Sequence, residues 1–208
     1  MKVAFAGTPE FAATILRGLD ASAHEVGIVI SQPDPRRGRG RKTTPTPVAA
    51  LAREMNLPLL QPARIGNAAG EISAYDTLVV AAYGQILRAD TLYATPKGAW
   101  NVHASLLPKY RGAAPVERAL INGEKQSGVS IMKMDEGLDT GPVALQRTVQ
   151  INPDTTGGEL AETLANVGAK SLVEVLTAID DHSLTLTVQD SHFATYASKI
   201  LDEDKTIR

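Results

Sequence analysis

The chain has 208 residues, enough for one domain with a substantial core, and its 43% hydrophobic and 21% charged content is that of an ordinary globular protein. No apolar run reaches membrane-span length and Val3-Ala4-Phe5-Ala6 begins without a leader pattern, so a cytoplasmic monomer with no membrane partner is expected. The lack of cysteine excludes disulfides, thiolate metal sites and a thiol nucleophile, and a net charge of −2 excludes a globally basic nucleic-acid binder.

In chain order, residues 3–6 read as a first strand and 9–19 as a helix, with Gly7-Thr8-Pro9-Glu10 between them. That turn has no second glycine where a dinucleotide fingerprint needs one, and no Walker loop occurs elsewhere, so neither NAD nor ATP is expected. A second strand at 26–30 is followed by a basic, glycine- and proline-containing run, Pro35-Arg36-Arg37-Gly38-Arg39-Gly40-Arg41-Lys42, and then by a helix at 47–55. Further strands are predicted at 78–82, 100–103 and 129–132, and a helix at 113–121. This alternation of strands and helices predicts an α/β fold, a doubly wound, mostly parallel sheet with helices on both faces. Residues 159–179 carry a three-and-four apolar stripe (Leu160, Leu164, Val167, Leu172, Val175, Leu176, Ile179) that predicts the clearest helix. The alternation in 184–188 predicts a half-exposed antiparallel strand, 195–200 a further extended piece, and the charged residues 201–205 a frayed end.

The most informative stretch is Asn101-Val102-His103 with the Ser105-Leu106-Leu107-Pro108-Lys109-Tyr110-Arg111-Gly112 string behind it. Residues two apart on a strand share a face, so Asn101 and His103 point together while Trp100, Val102 and Ala104 point the other way. The string beyond them reads as a loop past the strand's carboxyl end, where open α/β sheets place their ligands. Asp135-Glu136-Gly137-Leu138-Asp139-Thr140-Gly141 then supplies a carboxylate, Asp139, able to pair with the imidazole and favour its protonated form. Amide, imidazole and carboxylate together suit acyl transfer. His103 and Asp139 also suit a metal hydrolase, but no two histidines have the spacing of a helical zinc pair, and no metal is expected. A non-catalytic RNA-binding module using only the basic run is a third reading.

Taken together, Asn101, His103, the 105–112 string and Asp139 resemble the folate-dependent formyltransferase family. Phe5-Ala6-Gly7-Thr8-Pro9-Glu10-Phe11 and the 135–141 cluster resemble the branch of that family whose acceptor is methionyl-tRNA. The resemblance implies a Rossmann-like formyltransferase fold, a reduced folate, 10-formyltetrahydrofolate, as formyl donor, and initiator methionyl-tRNA as acceptor in translation initiation. Acceptors in related enzymes include glycinamide ribonucleotide and amino sugars, which remain the alternative. It also implies that Asn101, His103 and Asp139 are catalytic. Tyr83, Gly84, Gln85, Ile86 and Leu87, with Ser105, Leu106, Leu107 and Pro108, are expected to border the folate, Gly84 by admitting it to the main chain and Ile86 and Leu87 as an apolar wall. Arg36, Arg37, Arg39, Arg41 and Lys42 are expected to meet tRNA phosphates. The family expectation divides the chain into a catalytic domain at 1–200 and the start of a linker at 201–208 leading to a C-terminal domain that the sequence lacks.

Overall fold

The computed structural model describes residues 1–37 and 42–205. Strand β1 (Lys2–Gly7) leads into helix α1 (Glu10–Asp20), followed by β2 (Glu25–Ile30) and a two-residue pair, β3 (Arg36–Arg37) and β4 (Lys42–Thr43). Helix α2 (Pro47–Glu54) begins where Thr46 accepts from Ala49 N, with Pro47 in the first turn, where its missing N–H costs nothing. Then come β5 (Leu59–Leu60), a 3-10 turn (Ile65–Ala68), α3 (Ala69–Ile72), β6 (Thr77–Ala81), α4 (Ala89–Leu92), β7 (Ala99–His103), β8 (Arg111–Gly112) and α5 (Pro115–Ile121). The chain finishes with β9 (Gln126–Lys133), β10 (Val143–Gln150), the long α6 (Gly157–Asp180) and β11 (Tyr196–Ala197).

Seven of these strands form one sheet in the order β10-β9-β7-β6-β1-β2-β5. From β7 to β5 the pairing is parallel, whereas β9 and β10 join antiparallel. The chain builds outward from β1 to β2 and β5, then restarts at β6 on the other side, so the switch point lies between β1 and β6. The carboxyl ends there open the crevice in which such sheets bind ligands. The expected doubly wound, mostly parallel fold is therefore present.

Both faces of the sheet are covered. Val3, Phe5, Trp100 and Val102 pack with α1, α2 and α6, while Ala4, Ala6, Leu78 and Val80 pack with the 3-10 turn, α3 and α4. A capping box between Thr156 and Glu159 starts α6, and its buried stripe, Leu160, Leu164, Leu172, Val175 and Leu176, is the predicted one. The helix approaches β7 closely at Gly168, where a Cβ would stand 2.8 Å from Val102 Cγ1. Among the described residues no helix is long and apolar enough to cross a membrane.

Three expectations are corrected. Residues 184–188 are not a strand: Thr187 alone bridges to Val143, and 185–188 are exposed, because an alternating pattern makes a strand only where a sheet face is there to cover its apolar side. The helix expected from 113 starts at Pro115, since the Ala113 and Ala114 N–H groups both donate to Ala197 O. The end is not frayed through residue 204: Arg118 grips Asp204 with two hydrogen bonds of 2.8 Å, and Leu201 N donates to the same carboxylate.

Candidate active site

Strand β7 is the third strand from the β10 edge, in register with Val80 on one side and Met132 on the other at Asn101. Trp100, Val102 and Ala104 enter the core beside α6, as the period of two requires, so Asn101 and His103 stand on the opposite face. The His103 ring is buried, and its Nε2 lies 2.9 Å from Tyr110 O. A carbonyl only accepts, so Nε2 carries hydrogen and Nδ1 is left facing Asp139 Oδ2 at 3.7 Å. Asp139 also receives Gly112 N on Oδ2 at 2.8 Å and, over a longer 3.4 Å, Asn101 Nδ2 on Oδ1. The amide, imidazole and carboxylate anticipated from sequence thus meet around one carboxylate.

Asp139 reaches them from a tight turn. Its backbone is left-handed at φ +52, and Asp135 braces the preceding bend by accepting from Gly137 N and Thr140 Oγ1. Two side chains that sequence reasoning missed complete the arrangement. Gln189 Nε2 donates to Asp139 O and Gly141 O at 2.9 and 2.7 Å, and its Oε1 accepts from Arg111 Nε and Nη2 at 3.2 and 2.8 Å. Arg111 is only 2% exposed. The segment bearing Gln189 runs on as a strap: β11 pairs parallel with β8, and Thr195 takes Tyr110 N on its hydroxyl and Arg111 N on its carbonyl.

The residues expected to border the folate lie at the same edge of the sheet, in two groups. The chain leaves β6 through Ala82 (φ +43) and Gly84 (φ +86). Glycine suits position 84 because at φ +86 a side chain would be strained, and the Gln32 amide lies beside it, donating to Tyr83 O. The Gln32 amide thus stands where Gly84 was expected to admit a ligand to the main chain. Leu87 is part of the core and not an open wall, and the Gln85 side chain is engaged by Ile65 N and Ala63 O. Ile86, 87% exposed, remains as the apolar surface. Tyr83 is enclosed, its hydroxyl meets no partner among the described residues, and burial pushes its phenol up, keeping it neutral. In the second group Ser105 donates to Lys109 O, Leu107 N donates to Ser130 Oγ and Gln146 donates to Leu107 O, which together fix the loop through the cis Leu107-Pro108 bond. Leu106 and Pro108 are half-buried beside them.

Of the basic run, Arg36 and Arg37 pair through their backbones with Lys42 and Thr43, while Arg39 and Arg41 lie outside the described residues. The run is footed on a polar hub. Asp34 accepts from Thr46 N, Arg53 and Gln61, and Gln61 also donates to Gln32 O. Burial alone would raise the Asp34 carboxyl; the hydrogen bonds from Gln61, Arg53 and Thr46 outweigh it and hold the group below its ordinary value. Among the described residues no three His, Asp or Glu side chains gather as metal ligands would.

A doubly wound sheet with an amide, an imidazole and a carboxylate converging at its carboxyl edge carries the groups that transfer at a carbonyl carbon calls for. The chain belongs to the formyl transferase family, whose model matches residues 1–176. It is 69% identical to the methionyl-tRNA formyltransferase of Rubrobacter xylanophilus, over the whole of this chain and 68% of that protein. To the methionyl-tRNA formyltransferase of Kosmotoga olearia it is 47% identical, over 98% of this chain and 67% of the relative. Among solved structures it is similar to glycinamide ribonucleotide transformylase 1 from Symbiobacterium toebii, with TM-score 0.74 and 21% identity over 91% of this chain and 94% of that one. It is also similar to the N-formyltransferase from Helicobacter canadensis in complex with folinic acid and dTDP-3-aminofucose, with TM-score 0.73 and 20% identity over 98% and 72% of the two chains.

Proposed function

We propose that the chain transfers the formyl group of 10-formyltetrahydrofolate to the amino group of initiator methionyl-tRNA. The observation that carries the reading is the meeting of Asn101, His103 and Asp139 at the end of β7, in a chain similar along its whole length to methionyl-tRNA formyltransferases. The amine's lone pair forms a bond to the formyl carbon while the carbonyl electrons move onto oxygen. Asn101 Nδ2 has a hydrogen left to donate to that oxygen. His103 in its charged form donates from both nitrogens, Nε2 to Tyr110 O and Nδ1 toward the developing oxyanion. Asp139 takes the amine's proton, directly or through a water, and the proton passes to the folate nitrogen as its bond to the formyl carbon breaks. The exposed Ile86 after β6 and the loop 105–108 after the neighbouring β7 suit a flat heterocycle that needs an apolar surface and backbone partners. Arg36, Arg37, Arg39, Arg41 and Lys42 are assigned to tRNA phosphates.

The test is transfer of labelled formyl to methionyl-tRNA. Asn101→Ala, His103→Ala and Asp139→Asn are each expected to lower kcat by about a hundredfold or more. Survival of transfer within a few-fold in all three would sink the mechanism. Faster use of glycinamide ribonucleotide or a nucleotide-linked amino sugar than of methionyl-tRNA would move the acceptor to a small amine.

A further inference from the structure

We infer that Gln189 is a positioning residue for the Asp139 carboxylate, acting from a strap that lies beyond the part of the chain matched by the family model. The inference rests on the reaction proposed above. Asp139 is held at two points. Its side chain is fixed by Gly112 N at 2.8 Å, and its main-chain carbonyl by Gln189 Nε2 at 2.9 Å. The same Nε2 holds Gly141 O at 2.7 Å, so one amide spans the turn that carries the carboxylate. The turn needs such a hold, because at φ +52 Asp139 sits in a region that L residues with a side chain adopt at a cost.

The other end of the amide serves the second anchor. Oε1 accepts twice from Arg111, the residue next to Gly112, whose guanidinium is buried. Gln189 therefore ties the turn that bears Asp139 to the loop whose N–H receives it. Glutamine is the side chain that does both, since it donates at one atom and accepts at the other, whereas a carboxylate of the same length would face two carbonyl oxygens with a third acceptor. The family model ends at 176, so this clip comes from outside the matched core.

Gln189→Met keeps the length and removes both functions; Gln189→Glu keeps the acceptor toward Arg111 and removes the donor. Both are expected to lower kcat by about ten- to a hundredfold, the scale of an ångström misplacement, with KM for the formyl donor within about threefold of wild type. Asp204→Ala, which removes the carboxylate that Arg118 grips at the strap's far end and leaves Arg118 on Ser198 O and Lys199 O, is expected to keep kcat within about threefold. Amide exchange at Gly112, read without any substrate, is expected to quicken at least about tenfold in Gln189→Met and to stay near wild type in Asp204→Ala. Wild-type kcat in Gln189→Glu, unchanged Gly112 exchange in Gln189→Met, or an equal loss of kcat in Asp204→Ala would each overturn the inference. A wild-type chain that formylates no amine, with Gly112 exchange still dependent on Gln189, would overturn the assigned reaction and leave the clip standing.

Discussion

On the mechanism proposed above, Asp139 combines a charge the chemistry needs with a backbone that resists being there. A left-handed conformation costs a side-chain-bearing residue about 1–2 kcal/mol, less for Asn and Asp, whose short polar groups bond locally. Asp139→Asn keeps that tolerance and an oxygen for Gly112 N, whereas Asp139→Ala loses both. Thermal melts are expected to place Asn within a few degrees of wild type and Ala clearly below it, while formyl transfer is lost in both. Melts in the reverse order would mean that the turn is not held by this carboxylate. Asn101 and His103 were legible because a strand repeats every two residues, and their apolar neighbours Trp100 and Val102 fixed which way the pair faces. Gln189 was not legible. It acts on Asp139 across 50 positions and on Arg111 across 78, and a single glutamine in a loop has no periodicity to betray it. The Gln32 amide beside Gly84 was not legible for the same reason, since it comes from 51 positions upstream of Tyr83's carbonyl.

The basic run belongs to the scale of elements. Its short β3–β4 pairing and the Asp34 hub fix both feet of the segment to α2 and β2. If all five cations engage phosphates, log K for tRNA falls with log salt at a slope of roughly −3.5 to −4.5. Serine at positions 36, 37, 39, 41 and 42 is expected to flatten that slope and weaken kcat/KM for methionyl-tRNA, with folate affinity kept in calorimetry. An unchanged slope would reduce the run to a solvated surface. Central strands were readable to within a residue or three because a parallel strand covered on both faces is a continuous apolar run. The edge strand β10 was missed, as its Gln146, Arg147 and Thr148 break any such run where the sheet meets water. The alternating 184–188 segment erred in the opposite direction, having the pattern of a strand without a sheet beside it.

Across the whole molecule, the end of the sheet opposite the site is closed by a charged cluster. The Met1 ammonium and the Lys97 ammonium both reach the Asp180 carboxylate, and buried His24 lies against Met1 and Thr177. Burial, and next the Met1 charge, hold His24 below its ordinary value in spite of Asp180. Protonation therefore favours the unfolded chain: the stability that His24 contributes is complete above about pH 6.5 and declines as pH falls through that value. His24→Gln is expected to flatten the rise of Tm as pH climbs toward about 6.5; an equally steep rise in the variant would assign the dependence elsewhere. The strap has a different consequence, in the order of synthesis. A ribosome delivers Asn101, His103 and Asp139 at least 50 residues before Gln189. At about 5–20 residues per second the nascent chain passes several seconds with its chemical groups translated and their brace still unmade. On the inference above, Gln189 leaves the ribosome after the groups it braces, so a chain stopped before residue 189 is expected to hold Asp139 without that clip.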